Sequence, residues 1–308
     1  MTEKSIRNQF ADTMLAVGQE DENLVVLVGD ISHFILQPFA KACPGRYYNV
    51  GICEPTIISM AAGMAKIGFY PVVHTIAPFI IERGFEQIKL DFCYQKLAGN
   101  LVTVGSVFDY SNLGCTHHCY CDFALLRTLP DTQIIYPSSV IEFDTLFRQA
   151  YDNEYLTLYR IPSSSNKYIF SSEDIKVGRG ITVTKGSDVT IIIAGPHLDN
   201  ALEARNHLTN EANIEIIYLH TIRPLDIEMI RLSVKKTRRV LVVEEHMQSG
   251  GIGEAIRNIT SDIDGLRYAS LSIPDEFIRS YGTYKYHCNK LELSLDGIIN
   301  KIRNELLR

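Results

Sequence analysis

Short apolar runs without alternation punctuate the chain, separated by longer stretches of mixed polarity. LVVLVGD at 24–30, PVVHT at 71–75, NLVTVGS at 100–106, TQIIYPS at 132–138 and LTLYR at 156–160 predict strands buried on both faces. Helical patterns begin near Ser5, Glu54, Phe79, His117 and Val140 and supply the crossovers between parallel strands. A second series follows at 189–195, 214–220, 240–246 and 267–273, with helices between and a last helix ending at Arg308. Between the two series lies IPSSSNKYIFSSEDIKVGRGITVTKGSD, rich in Ser, Gly and charge, which reads as a crossing linker folded into a hairpin. The pattern therefore predicts two consecutive three-layer α/β domains with mostly parallel sheets: residues 1–165, a linker over 166–186, and residues 187–308. Ligands on such sheets sit at the carboxyl ends of the strands.

Composition narrows the function classes. With 308 residues, 46% of them hydrophobic, the chain has material for two cores. A net charge of −6 and the lack of any basic run argue against a nucleic-acid groove. No apolar stretch is long enough for a bilayer, and MTEKSIRNQF carries charge where a secretory signal would be apolar. Seven cysteines, odd in number and without a framework spacing, fit reduced thiols, so a cytoplasmic location is expected.

The most pointed local feature is Gly51-Ile52-Cys53-Glu54-Pro55. Pro55 suits the first position of a helix, and from Ile57 to Ile67 apolar or small residues occupy nearly every face. A buried helix with a carboxylate at its positive end is the expectation. Glutamate caps helices less well than Ser, Thr, Asp or Asn, so capping and proton handling both stay open on local grounds. Other motifs carry less. CTHHCYC at 115–121 gathers three cysteines and two histidines, but Cys119-x-Cys121 lacks the gap of common zinc knuckles, and no metal ligand is expected in this chain. The glycines of GGIGEAI do not form a dinucleotide fingerprint, and Glu244 and Glu245, as strand neighbours, point to opposite faces. The second half reads as an assembly and interface module.

Taken in order, NVGICEP, AAGMAKIGFYPVVHT, PFIIERGFEQIKL and GCTHHCYCDFALLRTLPDTQIIYPSS resemble the pyrimidine-binding domain of transketolase, while YLHTIRPLD and VVEEHMQSGGIGEAI are similar to that family's carboxyl-terminal domain. The resemblance implies thiamine diphosphate as cofactor. It gives Glu54 the contact to a ring nitrogen of the aminopyrimidine, where proton sharing favours the tautomer that activates the thiazolium carbon. It lays Phe79 against the pyrimidine ring and puts Asp30 near the cofactor, although Asp30 also suits a helix cap. His117 falls on the substrate-facing loop, and Arg7 and Arg160 fall where family members clamp the substrate's terminal phosphate.

Gly29-Asp30-Ile31 lacks the second glycine of the family's Gly-Asp-Gly motif, which with a later Asn anchors the diphosphate and magnesium. The resemblance thus implies one half of a split transketolase. A separate amino-terminal subunit would hold the magnesium and complete each site, in a heterotetramer of two copies of each chain. Leu113 stands where an aspartate is usual, and Gly105-Ser106 near another expected histidine, so the donor sugar stays unspecified. The implied reaction moves a two-carbon ketol unit from a ketose phosphate to an aldose. The alternatives are the β subunit of a 2-oxo-acid dehydrogenase, a pyruvate-using synthase such as deoxyxylulose phosphate synthase, or a non-catalytic assembly subunit. Cys115-Thr116-His117 and HTIRPLD favour transketolase.

Overall fold

A computed structural model describes residues 4–308, so the first three residues of the predicted first domain lie outside the described part. Strands β1 (Leu24–Val28), β2 (Tyr47–Asn49), β3 (Tyr70–Ile76), β4 (Gly99–Val104), β5 (Thr132–Ile135) and β6 (Leu156–Ile161) form one parallel sheet. Strands β7 (Ile181–Thr184), β8 (Val189–Ala194), β9 (Ile214–Leu219), β11 (Arg239–Met247) and β12 (Arg267–Ile273) form the second, ordered β12-β11-β8-β9-β7. Every residue of β1, β4, β5 and β6 is buried, because helices cover both faces; this is why these runs show no alternation. Two expected helix starts carry serine caps. Ser5 accepts from the Asn8 amide at the head of Ile6–Glu20, and Ser139 accepts from the Glu142 amide at the head of Val140–Ala150.

Three elements depart from the sequence pattern. The segment 166–186 contributes β7, which pairs antiparallel with β9 and so edges the second sheet instead of closing a hairpin of its own. The three-residue β2 pairs with β1. The third is β10 (Thr221–Arg223), which comes from the second half of the chain but pairs antiparallel with β5 and edges the first sheet. Runs this short leave no periodicity to read. The first sheet, ordered β10-β5-β6-β4-β3-β1-β2, is therefore built by both halves.

Candidate active site

Topology alone gathers the site. Strands β4, β3, β1 and β2 are adjacent and parallel, so their carboxyl ends open on one edge. Asp30 follows β1, Glu54 follows β2, Phe79 follows β3, and His117 lies in the loop after β4. The helix Ile6–Glu20 leads into β1, which brings Arg7, in its first turn, to the same end.

Glu54 opens the helix Glu54–Lys66, reached from β2 through Gly51, whose φ of +82° suits glycine. The side chain is 2% exposed. Its Oε2 accepts from Arg83 Nη1 at 2.9 Å, while Oε1 is buried with no partner among the described residues. An orphaned buried acceptor costs about 1–3 kcal/mol, a cost that a donor on a bound group would offset. The Arg83 guanidinium also lies over the Phe79 ring at 4.5 Å, and that ring meets His117 edge to face at a centroid distance of 5.2 Å. Glu54, Arg83, Phe79 and His117 thus form one contiguous row. Sequence reasoning passed over Arg83, which lies in the turn after the helix Ala77–Ile81; its signal was the four-residue step from Phe79.

The expectation of a helix buried all round is corrected. Ser59, Met60 and Gly63 face solvent, Ile67 at its end is 74% exposed and Ile52 before it 69%. The apolar sequence runs right round the helix, but in the single chain one face is left uncovered.

Asp30 is exposed and joined to Asn49, whose side-chain amide donates to Oδ1 at 3.0 Å and whose carbonyl oxygen accepts from the Asp30 amide at 3.2 Å. It ties the ends of β1 and β2 together and caps no helix, since the next one, Gln37–Ala42, has no side-chain cap among the described residues. His117 sits half-buried in a 3-10 turn, Cys115–His117, and not in an α-helix, which begins only at Asp122. Desolvation by burial lowers its pKa, which favours the neutral imidazole.

Arg7 ends a polar chain. Its Nε donates to Ser32 Oγ at 2.8 Å, and Ser32 Oγ lies 2.7 Å from His74 Nε2. His74 Nδ1 lies 2.7 Å from the Val102 carbonyl, which can only accept. That fixes the proton on Nδ1, so Ser32 donates to Nε2. Burial pushes the His74 pKa down to about 3, keeping the ring neutral. Arg7, Ser32 and His33 line a surface cavity of about 400 Å³.

Arg160 requires a correction. It is wholly buried, its Nε 3.0 Å from Asp122 Oδ2, with Nη2 donating to the Cys119 carbonyl at 2.7 Å and Nη1 to the Glu245 carbonyl at 2.9 Å. Its guanidinium stacks between Phe123, at 4.4 Å, and Tyr136, at 5.0 Å. A wholly buried guanidinium whose three nitrogens already face protein acceptors is not presented to a phosphate, so the residue fastens β6 to β11 across the domain junction. Glu244 and Glu245 do face opposite ways. Glu244 accepts the Gly253 and Ile252 amides at the head of the helix Ile252–Ile259, whereas Glu245 accepts from Tyr136 and Tyr284.

Fold and geometry define a two-domain α/β chain whose candidate site lies at the strand ends of its first sheet. Residues 2–164 match the transketolase pyrimidine-binding domain, and residues 178–287 match the transketolase C-terminal domain. The chain belongs to the transketolase family. It is 29% identical to one of the subunits of apulose-4-phosphate transketolase from Phocaeicola vulgatus, over 88% of each chain. A putative transketolase C-terminal section from Methanocaldococcus jannaschii is 30% identical, with 90% of this chain and 89% of that one covered. The 1-deoxy-D-xylulose-5-phosphate synthase of Heliobacterium modesticaldum is 31% identical over 88% of this chain but only 42% of its own length. Among solved structures, a split-gene transketolase described as an inactive beta4 tetramer superposes with a TM-score of 0.88 at 28% identity, over 99% of this chain and all of that one.

Proposed function

We propose that this chain is the pyrimidine-site subunit of a split transketolase, moving a two-carbon ketol unit from a ketose phosphate to an aldose. The observation that carries the reading is Glu54 Oε1, a buried acceptor without a donor among the described residues, joined through Arg83 to the half-buried ring of Phe79. These residues fit the aminopyrimidine end of thiamine diphosphate: the carboxylate would meet a ring nitrogen and Phe79 would lie against the ring face. The cofactor, when bound, supplies the nucleophilic carbon that carries the two-carbon fragment. Arg83 orients the Glu54 carboxylate, and neutral His117 serves as donor or acceptor to substrate oxygens. Asp30 would lie near the cofactor, and Arg7, held by Ser32, lines a cavity that would take a phosphate.

A second polypeptide is part of the same reading. The chain lacks the Gly-Asp-Gly motif, and the uncovered face of the Glu54 helix, with Ile52, Met60 and Ile67, offers an apolar surface for a partner. The partner would carry the amino-terminal domain with the diphosphate and magnesium ligands, two copies of each chain forming a heterotetramer. Names of similar proteins agree with a split arrangement.

The test is reconstitution. The chain, its amino-terminal partner and their mixture are titrated with thiamine diphosphate and magnesium, then given a panel of ketose donors and aldose acceptors. Turnover should need both chains, and Glu54→Gln should slow it by about 10²–10⁴-fold. Tight cofactor binding and turnover by this chain alone would refute the split site. Carbon dioxide release from a 2-oxo acid would replace transfer with the pyruvate-using alternative suggested by the synthase similarity.

A further inference from the structure

A buried cluster in the second domain has no part in the site above. His197, just before the helix Leu198–His207, Glu245 in β11 and Cys288 in the helix Tyr284–Lys290 each turn one ligand atom toward a common point. These atoms lie within 4.8 Å of one another, and all three residues are buried. His197 Nε2 is 2.8 Å from Glu245 Oε1, and the Tyr284 hydroxyl donates to the same oxygen. The other carboxylate oxygen accepts from Tyr136 at 3.0 Å. A cavity of about 570 Å³ lined by His197, Tyr284 and Cys288 gives the cluster a route to solvent. Lys285, on its rim, is exposed.

The surroundings hold more acid than base. Glu245 and Asp109 lie close enough to influence each other, and Asp122 is paired with Arg160, whose guanidinium reaches the Glu245 carbonyl. Burial first, then the Glu245 carboxylate, pushes the Cys288 thiol up, which favours its protonated form while the cluster is empty. A bound cation inverts that preference.

We propose that His197 Nε2, Glu245 Oε1 and Cys288 Sγ bind a zinc-class divalent cation, with the fourth position open to the cavity. One imidazole nitrogen, one carboxylate oxygen and one thiolate make a donor set that selects zinc over magnesium or calcium, and three protein ligands plus an open position is a common zinc arrangement. Binding expels the Cys288 proton to solvent, and the imidazole proton that bridges His197 Nε2 and Glu245 moves to Nδ1, so one proton leaves in all. The ion would tie the helix Tyr284–Lys290 to β11. That helix begins just after Gly282, whose carbonyl accepts from Ser111 Oγ at 2.8 Å, so the tie reaches the loop that carries His117. No short spacing announces the site, because the ligands come from three separate elements; the sequence expectation of no metal ligand in this chain is the one this proposal would replace.

The experiment uses the full-length chain alone, so its outcome is independent of the transferase reading. After EDTA treatment and dialysis, the protein is titrated with zinc and with cobalt(II) and followed by metal analysis, absorbance and thermal melting. One equivalent per chain is expected, with a cobalt–thiolate charge-transfer band, one proton released and a raised Tm. Cys288→Ser should abolish the band, and His197→Gln should weaken zinc by more than about 100-fold, since even outer partners of metal sites contribute 10–100-fold. A folded wild-type chain that takes up no stoichiometric zinc overturns the proposal without reference to any variant. Uptake unchanged in both substitutions, or saturation by calcium in preference to zinc, does so as well.

Discussion

Arg160→Met isolates the domain-junction role of the guanidinium. Methionine fills much of the same slot between Phe123 and Tyr136 but offers no donor. Asp122, wholly buried, would lose its salt-bridge partner and keep the Phe123 amide, while the Cys119 and Glu245 carbonyls would each lose a donor. Burial already raises the Asp122 pKa and Arg160 opposes that rise, so in the variant the carboxyl would take up a proton instead of staying charged. Breaking a buried pair in this way costs about 3–5 kcal/mol, or roughly two to four decades in the unfolding equilibrium. The chain has no tryptophan, so urea unfolding is best followed by circular dichroism and tyrosine fluorescence. In the assembled enzyme, the ratio of KM values for phosphorylated and unphosphorylated donors should not change. A variant within about 0.5 kcal/mol of wild type, with KM raised only for phosphorylated donors, would refute the junction role and return Arg160 to the substrate.

Arg83→Ala should leave the fold intact, because Arg83 is half-exposed, yet weaken thiamine diphosphate binding in the assembled enzyme by about 10–100-fold, the worth of one charge-assisted hydrogen bond; an unchanged cofactor titration would remove Arg83 from the site. His74 gives a pH signature. Its folded pKa, lowered by burial to about 3, lies below its unfolded value of 6.5, so it contributes stability that is fully present above about pH 6.5 and is lost as the pH falls toward 3. His74→Gln should flatten the unfolding free energy, read from urea melts across that window, by an amount on the order of 3–5 kcal/mol, and an unaltered slope would show that the ring is not held neutral.

Long buried strands were legible because covering both faces of a parallel sheet leaves an uninterrupted apolar run, as in 189–194. The acid, the aromatic ring and the imidazole of the row were legible too, through the motif order around Glu54, Phe79 and His117. Arg83 was not, since an arginine in a polar stretch looks ordinary until its partner is known to be buried. Arg160 misled for the opposite reason: a cation closing an apolar strand resembles a ligand anchor, and only the fold reveals three acceptors already waiting for it. The uncovered face of the Glu54 helix could not be read either, because apolar residues facing solvent in one chain look the same in sequence as residues facing a core.

β10 has a consequence for anyone cutting this protein. A fragment ending in the segment 166–186 would retain six strands of the first sheet but leave the outer edge of β5 bare, its carbonyls and amides free to recruit the same edge of another molecule. Such a piece should precipitate where the intact chain does not, and supplying a peptide spanning 219–225 in trans should restore solubility by reseating the missing border.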